Sequence, residues 1–145
     1  MQLSKSPVST PPAERDHRPV VLIVDDHQNV TRSLSRIVDH HGFAAAPVHT
    51  GQAAINYATI HPVSAVILDI HLPDISGLIV SQRLRDRLGP KTPIIVLSGD
   101  GSMETLNSLP HVGATYFYRK PIQSAQLIEH LRSLLHGTTA GEGQR

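Results

Sequence analysis

The chain has 145 residues, a formal net charge of +1, a sequence pI of about 8.3 and no cysteine. A chain of this length makes one domain, which buries roughly two thirds of its unfolded surface. The near-neutral balance excludes a field strong enough to imply nucleic acid or a membrane surface, and the lack of cysteine excludes a disulfide framework or a thiolate zinc site.

Residues 1–18 carry Pro7, Pro11 and Pro12 among Ser, Thr and charged side chains, and read as a disordered tail. They lack the apolar core of a signal peptide, and no run reaches the roughly 20 apolar residues of a membrane helix. A cytoplasmic, soluble protein is the expectation.

Val20 to Val24 is a short continuous apolar run, the pattern of a strand buried on both faces, and it ends in Asp25 and Asp26. Val30, Leu34, Ile37 and Val38 then recur at helical spacing, and Gly42 ends that helix. Phe43 to Val48 predicts a second strand. Thr50 caps a helix carrying Ala53, Ala54, Tyr57 and Ala58, which stops before Pro62. Val63 to Leu68 is a third buried strand and runs into Asp69.

Asp74 or Ser76 starts the next helix, with Leu78, Ile79, Leu84 and Leu88 expected on its inner side and Gly89-Pro90 closing it. Pro93 to Leu97 is a fourth strand, followed by Ser98, Gly99 and Asp100. Met103, Leu106 and Leu109 suggest a short helix stopped by Pro110. Thr115 to Tyr118 is the fifth strand, ending in Arg119, Lys120 and Pro121. A last helix carries Leu127, Ile128, Leu131, Leu134 and Leu135, and residues 137–145 form a polar tail.

Alternating strands and helices joined by short connections call for an α/β fold: a doubly wound parallel sheet with helices on both faces. The flavodoxin-like (βα)5 order 2-1-3-4-5 is a common solution, and ligands bind beyond the carboxyl ends of its strands. That order makes the first and third strands neighbours, so Asp25, Asp26 and Asp69 converge. Ser98 and Lys120 end the next two strands. Clustered carboxylates repel one another unless a cation sits among them, and magnesium with its oxygen ligands suits such a site. A carboxylate can also attack phosphorus, and a metal, an ammonium and a hydroxyl would balance the charge of the transferred group. The set fits phosphoryl capture on Asp69.

In Val24-Asp25-Asp26, Leu68 through Gly77, Leu97-Ser98-Gly99, and Gly113-Ala114 through Phe117 to Lys120-Pro121, the chain resembles the receiver domain of two-component response regulators. The resemblance covers residues 20–135, which sets the expected domain at 19–136. It implies Asp69 as phosphoacceptor and Asp26 and Asp69 as side-chain ligands of Mg2+. Asp25 would bind the ion through water, and the backbone carbonyl of His71 would be a further ligand. Lys120 would contact the phosphoryl group, Ser98 would be the switch hydroxyl, and Phe117 the switch aromatic. His71 and Asp100 fall at the positions that tune dephosphorylation. A cis bond at Lys120-Pro121 matches the family. The implied donor is a sensor histidine kinase or a phosphotransfer protein. The implied output is a downstream protein or a homodimer, engaged through the face of the fourth helix, fifth strand and fifth helix. Gly99 departs from the alanine usual after the switch hydroxyl, and Pro110 falls where the fourth helix normally continues.

Each residue also has a plainer reading. Asp69 could cap a helix, Ser98 could be a loop serine, and Phe117 could belong to the core. His40, His41, His49, His61, His111 and His136 show no paired ligand spacing and read as solvated. Arg83, Arg85 and Arg87, interrupted by Asp86, read as a solvated helix face. A competing function is an aspartate-nucleophile phosphatase or phosphotransferase. Such enzymes place an Asp-x-Asp pair after one strand, whereas His71 stands at that second position here. A nucleotide-binding module lacks both GxxxxGK[ST] and GxGxxG.

Overall fold

The computed structural model describes residues 17–99 and 115–135. Its elements run β1 (Val20–Val24), α1 (Gln28–His40), β2 (Ala44–Val48), α2 (Gly51–Ile60), β3 (Ala65–Asp69), α3 (Gly77–Leu88), β4 (Ile94–Ser98), β5 (Thr115–Arg119) and α4 (Ser124–Leu135). The helix expected around Met103, Leu106 and Leu109, its stop at Pro110, Asp100, and residues 1–16 and 136–145 lie outside the described residues.

The five strands form one parallel sheet in the order β2-β1-β3-β4-β5, as the flavodoxin-like reading requires. Alternate side chains of each strand point to opposite faces. Val21, Ile23, Ile67, Ile95 and Leu97 therefore pack with Leu34 and Val38 of α1 and Leu127, Ile128 and Leu131 of α4. Leu22, Val24, Val66, Leu68, Ile94 and Val96 pack on the other face with Ala54 of α2 and Val80 and Leu84 of α3. Burial on both faces is why these strands read as unbroken apolar runs.

Local signals set the helix ends. At the end of α1, Gly42 has φ +95°, its amide donates to the Asp39 carbonyl, and the Phe43 amide donates to the Val38 carbonyl. This paired closure needs a left-handed residue at Gly42 and brings Phe43 against Val38 in the core. Phe43, read as the start of the second strand, is spent on that closure, so β2 begins at Ala44. The Thr50 hydroxyl accepts the Ala53 amide at 3.0 Å and caps α2. Ser76, not Asp74, caps α3, accepting the Leu78 amide.

Two sequence expectations are corrected. Ile79 is 43% exposed rather than on the inner side of α3, because Val80 and Leu84 fill the rows facing the sheet. Arg85 is not a solvated member of a charged face. It is part-buried, and its Nη1 donates to the carbonyls of Gly89 and Thr92 at 2.8 and 2.6 Å, tying α3 to the turn that leads into β4.

Candidate functional site

The site assembles where the strands end. Asp69 is the last residue of β3 and is 3% exposed. Asp25 follows β1, its amide donates to the Val48 carbonyl, and it is 2% exposed. Ser98 ends β4 and is equally buried. Its carbonyl accepts the Lys120 amide at 2.8 Å, which ties the ends of β4 and β5 together. The Lys120-Pro121 bond is cis.

Lys120 connects the two buried carboxylates. Its Nζ donates to Asp25 Oδ2 at 3.0 Å and lies 3.4 Å from Asp69 Oδ2. The other oxygen of Asp69 accepts the His71 amide at 3.2 Å. The other oxygen of Asp25 accepts the His27 amide at 2.9 Å and lies 3.1 Å from His27 Nδ1. Asp26 is exposed, with Oδ1 3.2 Å from the same ring nitrogen. Phe117 lies opposite Val96 on β4, half-buried against the core on the α2 and α3 side.

Burial pushes the Asp69 carboxyl up from its ordinary value, and the nearby Asp25 adds to this. The His71 amide and Lys120 oppose the rise without cancelling it. For Lys120, burial alone would lower the ammonium. The hydrogen bond to Asp25 and the attraction of Asp69 outweigh it, and the ammonium is held above its usual value. Lys120 thus offers one ammonium beside Asp69, while the three carboxylates leave the cluster net negative, so a further anionic group there also needs a cation among them.

Oxygens of Asp25, Asp26 and Asp69 and a ring nitrogen of His27 all lie within 4.8 Å of one another. The three carboxylates supply the hard oxygen donors that a small divalent cation such as magnesium needs. Of the sequence-expected set, the structure therefore brings together Asp25, Asp26, Asp69, Ser98 and Lys120, and sets His71 directly against Asp69 through its amide. His27 was missed. Its only sequence signal was adjacency to the two aspartates.

Asp74 was also missed as a site support. Its carboxylate accepts the Gly51 and Gln52 amides at 2.8 and 2.9 Å, and so clamps the loop after β3 to the start of α2. These bonds hold the Asp74 carboxyl below its usual range. A third group lies on β5 and α4. The Tyr118 hydroxyl and His130 Nδ1 form a hydrogen bond, and the His130 ring packs edge-on against Tyr116.

A family model described as the response regulator receiver domain matches residues 21–132. Response regulator MprA of Mycolicibacterium vanbaalenii is 31% identical over 123 residues, covering 85% of this chain and 53% of its own. Response regulator protein TodT of Pseudomonas putida is 30% identical over 120 residues, covering 83% and 52%. The chain thus spans about half the length of these relatives. A solved CheY-like receiver domain from Methanospirillum hungatei superposes with a TM-score of 0.77 over 86% of this chain and 98% of that one; at 22% identity it shares the fold.

Proposed function

The chain belongs to the response regulator receiver domain family of two-component signalling, and from that premise we propose that it accepts a phosphoryl group on Asp69 and relays the change by conformation. One observation carries the assignment: Lys120 Nζ reaches both Asp25 and Asp69, at 3.0 and 3.4 Å, from a strand end 95 residues after the first carboxylate.

The donor is the phosphohistidine of a sensor kinase or a phosphotransfer protein. An Asp69 oxygen attacks phosphorus, the phosphorus–nitrogen bond breaks, and the departing imidazole keeps the electron pair and takes up a proton. Transfer of this kind rests on positioning and charge neutralisation. Asp69 is oriented by the His71 amide, and the Lys120 ammonium balances the new charge. Asp25, Asp26 and Asp69, with the His71 carbonyl, would hold Mg2+, which when bound neutralises phosphoryl oxygens.

The phosphoryl group carries about −1.5 to −2 charge, which takes the place of the single charge of the Asp69 carboxylate. Ser98, buried at the neighbouring strand end, and Lys120 respond to it, and Phe117 on β5 follows. His71 and Asp100 set how long the phosphoryl group stays. The output is a downstream protein or a second copy of the chain, meeting the face that includes β5 and α4. No helix among the described residues is long and apolar enough to cross a membrane, which is consistent with a cytoplasmic site of action.

Acetyl phosphate with Mg2+ is expected to label the protein stoichiometrically, with no label on Asp69→Asn. Label surviving in that variant refutes Asp69 as acceptor. Multiple turnover of ordinary phosphomonoesters would instead establish a phosphatase.

A further inference from the structure

The geometry points to His27 as a nitrogen ligand of the metal site, one that shifts its preference from magnesium toward nickel, zinc and similar divalent ions. The inference rests on the metal-dependent site proposed above and adds a donor to it.

The two oxygens of Asp25 are divided. Oδ2 is taken by Lys120, and Oδ1 faces His27. On that side His27 Nδ1 stands 3.1 Å from Asp25 Oδ1 and 3.2 Å from Asp26 Oδ1. Donors bound side by side to one divalent ion at about 2.1 Å lie about 3 Å apart. The ring nitrogen and the Asp26 oxygen are therefore already spaced as neighbouring ligands, with Asp25 beside them and Asp69 completing a group in which all the donor atoms lie within 4.8 Å.

The backbone holds the ring in this position. The His27 amide is bound to Asp25, and its carbonyl accepts the Val30 and Thr31 amides that start α1. The ring itself is 67% exposed, so a hydrated ion can reach it. Magnesium takes oxygen donors and keeps its water, so an imidazole adds little to its binding. Nickel, copper and zinc bind imidazole well, and intrinsic affinity rises toward them.

Titrations with Ni2+ and with Mg2+, each run in competition with the other, test this on the full chain, alongside pulsed electron paramagnetic resonance of bound Mn2+. In the natural protein, a directly coordinated nitrogen is expected on Mn2+. It is lost in His27→Ala and kept in His71→Ala, which controls for the other histidine beside the site. His27→Ala is expected to weaken Ni2+ at the Mg2+-competed site at least tenfold and to change Mg2+ affinity less than twofold. Absence of nitrogen coupling in the natural protein overturns the inference, as does an equal loss for both ions; His27 then only pairs with the carboxylates. If neither Mg2+ nor Mn2+ binds, the metal site itself is refuted. If both bind without nitrogen, only the role of His27 falls.

Discussion

Gly77 tests how tightly the loop after β3 is built. A Cβ placed there meets Ile70 Cα and O at 2.5 Å and Ile70 C at 2.8 Å. All three are backbone atoms, so no side chain can rotate away, and Ile70 is the residue after Asp69. Overpacking of this kind costs about 1–3 kcal/mol, and the backbone clash puts Gly77→Ala near the upper end. Alanine recovers less than the roughly 1 kcal/mol of interior helix preference, because Gly77 is the first residue of α3. A net loss of about 2 kcal/mol remains, or about 8 °C in Tm at roughly 4 °C per kcal/mol for a domain of this size. Gly99 is the control. It has no left-handed φ, and a Cβ there meets nothing within 4 Å, so Gly99→Ala should stay within about 0.5 kcal/mol. Gly51 is intermediate, since its nearest obstacle is the Val80 Cγ2 methyl at 2.6 Å. Urea unfolding followed by circular dichroism ranks the three, and acetyl phosphate labelling of Gly77→Ala should slow as Asp69 shifts. A Gly77→Ala protein as stable as the natural one, or a larger loss in Gly99→Ala, would refute the packing argument.

Asp69 is held above the ordinary carboxylate value of 3.8, so the folded protein binds its proton better than the unfolded chain between that value and its raised one. Stability due to Asp69 is present at acid pH and lost as pH rises through that window; metal-free Asp69→Asn should therefore be the more stable protein at pH 7, with the gap closing as the pH falls, read from paired urea titrations. His130 is shifted the other way, its imidazole lowered from 6.5 by burial. Stability should fall as pH drops from about 6.5 through the lowered value, and that loss should vanish in His130→Phe, measured as Tm against pH. Asp74→Ala removes the acceptors of the Gly51 and Gln52 amides, so amide exchange by NMR should speed at those two positions while the Ala53 amide, held by Thr50, stays protected. Equal exchange at all three would show that α2 needs no clamp from the loop.

Much of this molecule was legible from residue order alone. Strands buried on both faces must be continuous apolar runs, so β1, β3 and β4 announced themselves, and each ended in the polar residue that matters: Asp25, Asp69 and Ser98. Parallel strands with short crossovers then left few topologies, and the order 2-1-3-4-5 converged those ends without any knowledge of distance. Gly42 and Thr50 marked helix ends because left-handed backbone and free amides have few chemical solutions. What residue order did not carry was the direction of side chains whose chemistry allows several partners. Ile79 and Val80 are equally apolar, and only packing against the sheet turned Val80 in and Ile79 out. Arg85 looks like its neighbours Arg83 and Arg87 until the turn after α3 presents it with two carbonyls. Asp74 stood inside the matched stretch, yet its clamp was silent, because a bond across 22 residues exists only once α2 has docked beside the loop after β3. His27 was silent because the Asp69 carboxylate that completes its cluster arrives from another strand. Sequence determined which groups stand at the strand ends. The tertiary structure decided which of their atoms face one another, because contact distances depend on helix placement, and no local pattern encodes that.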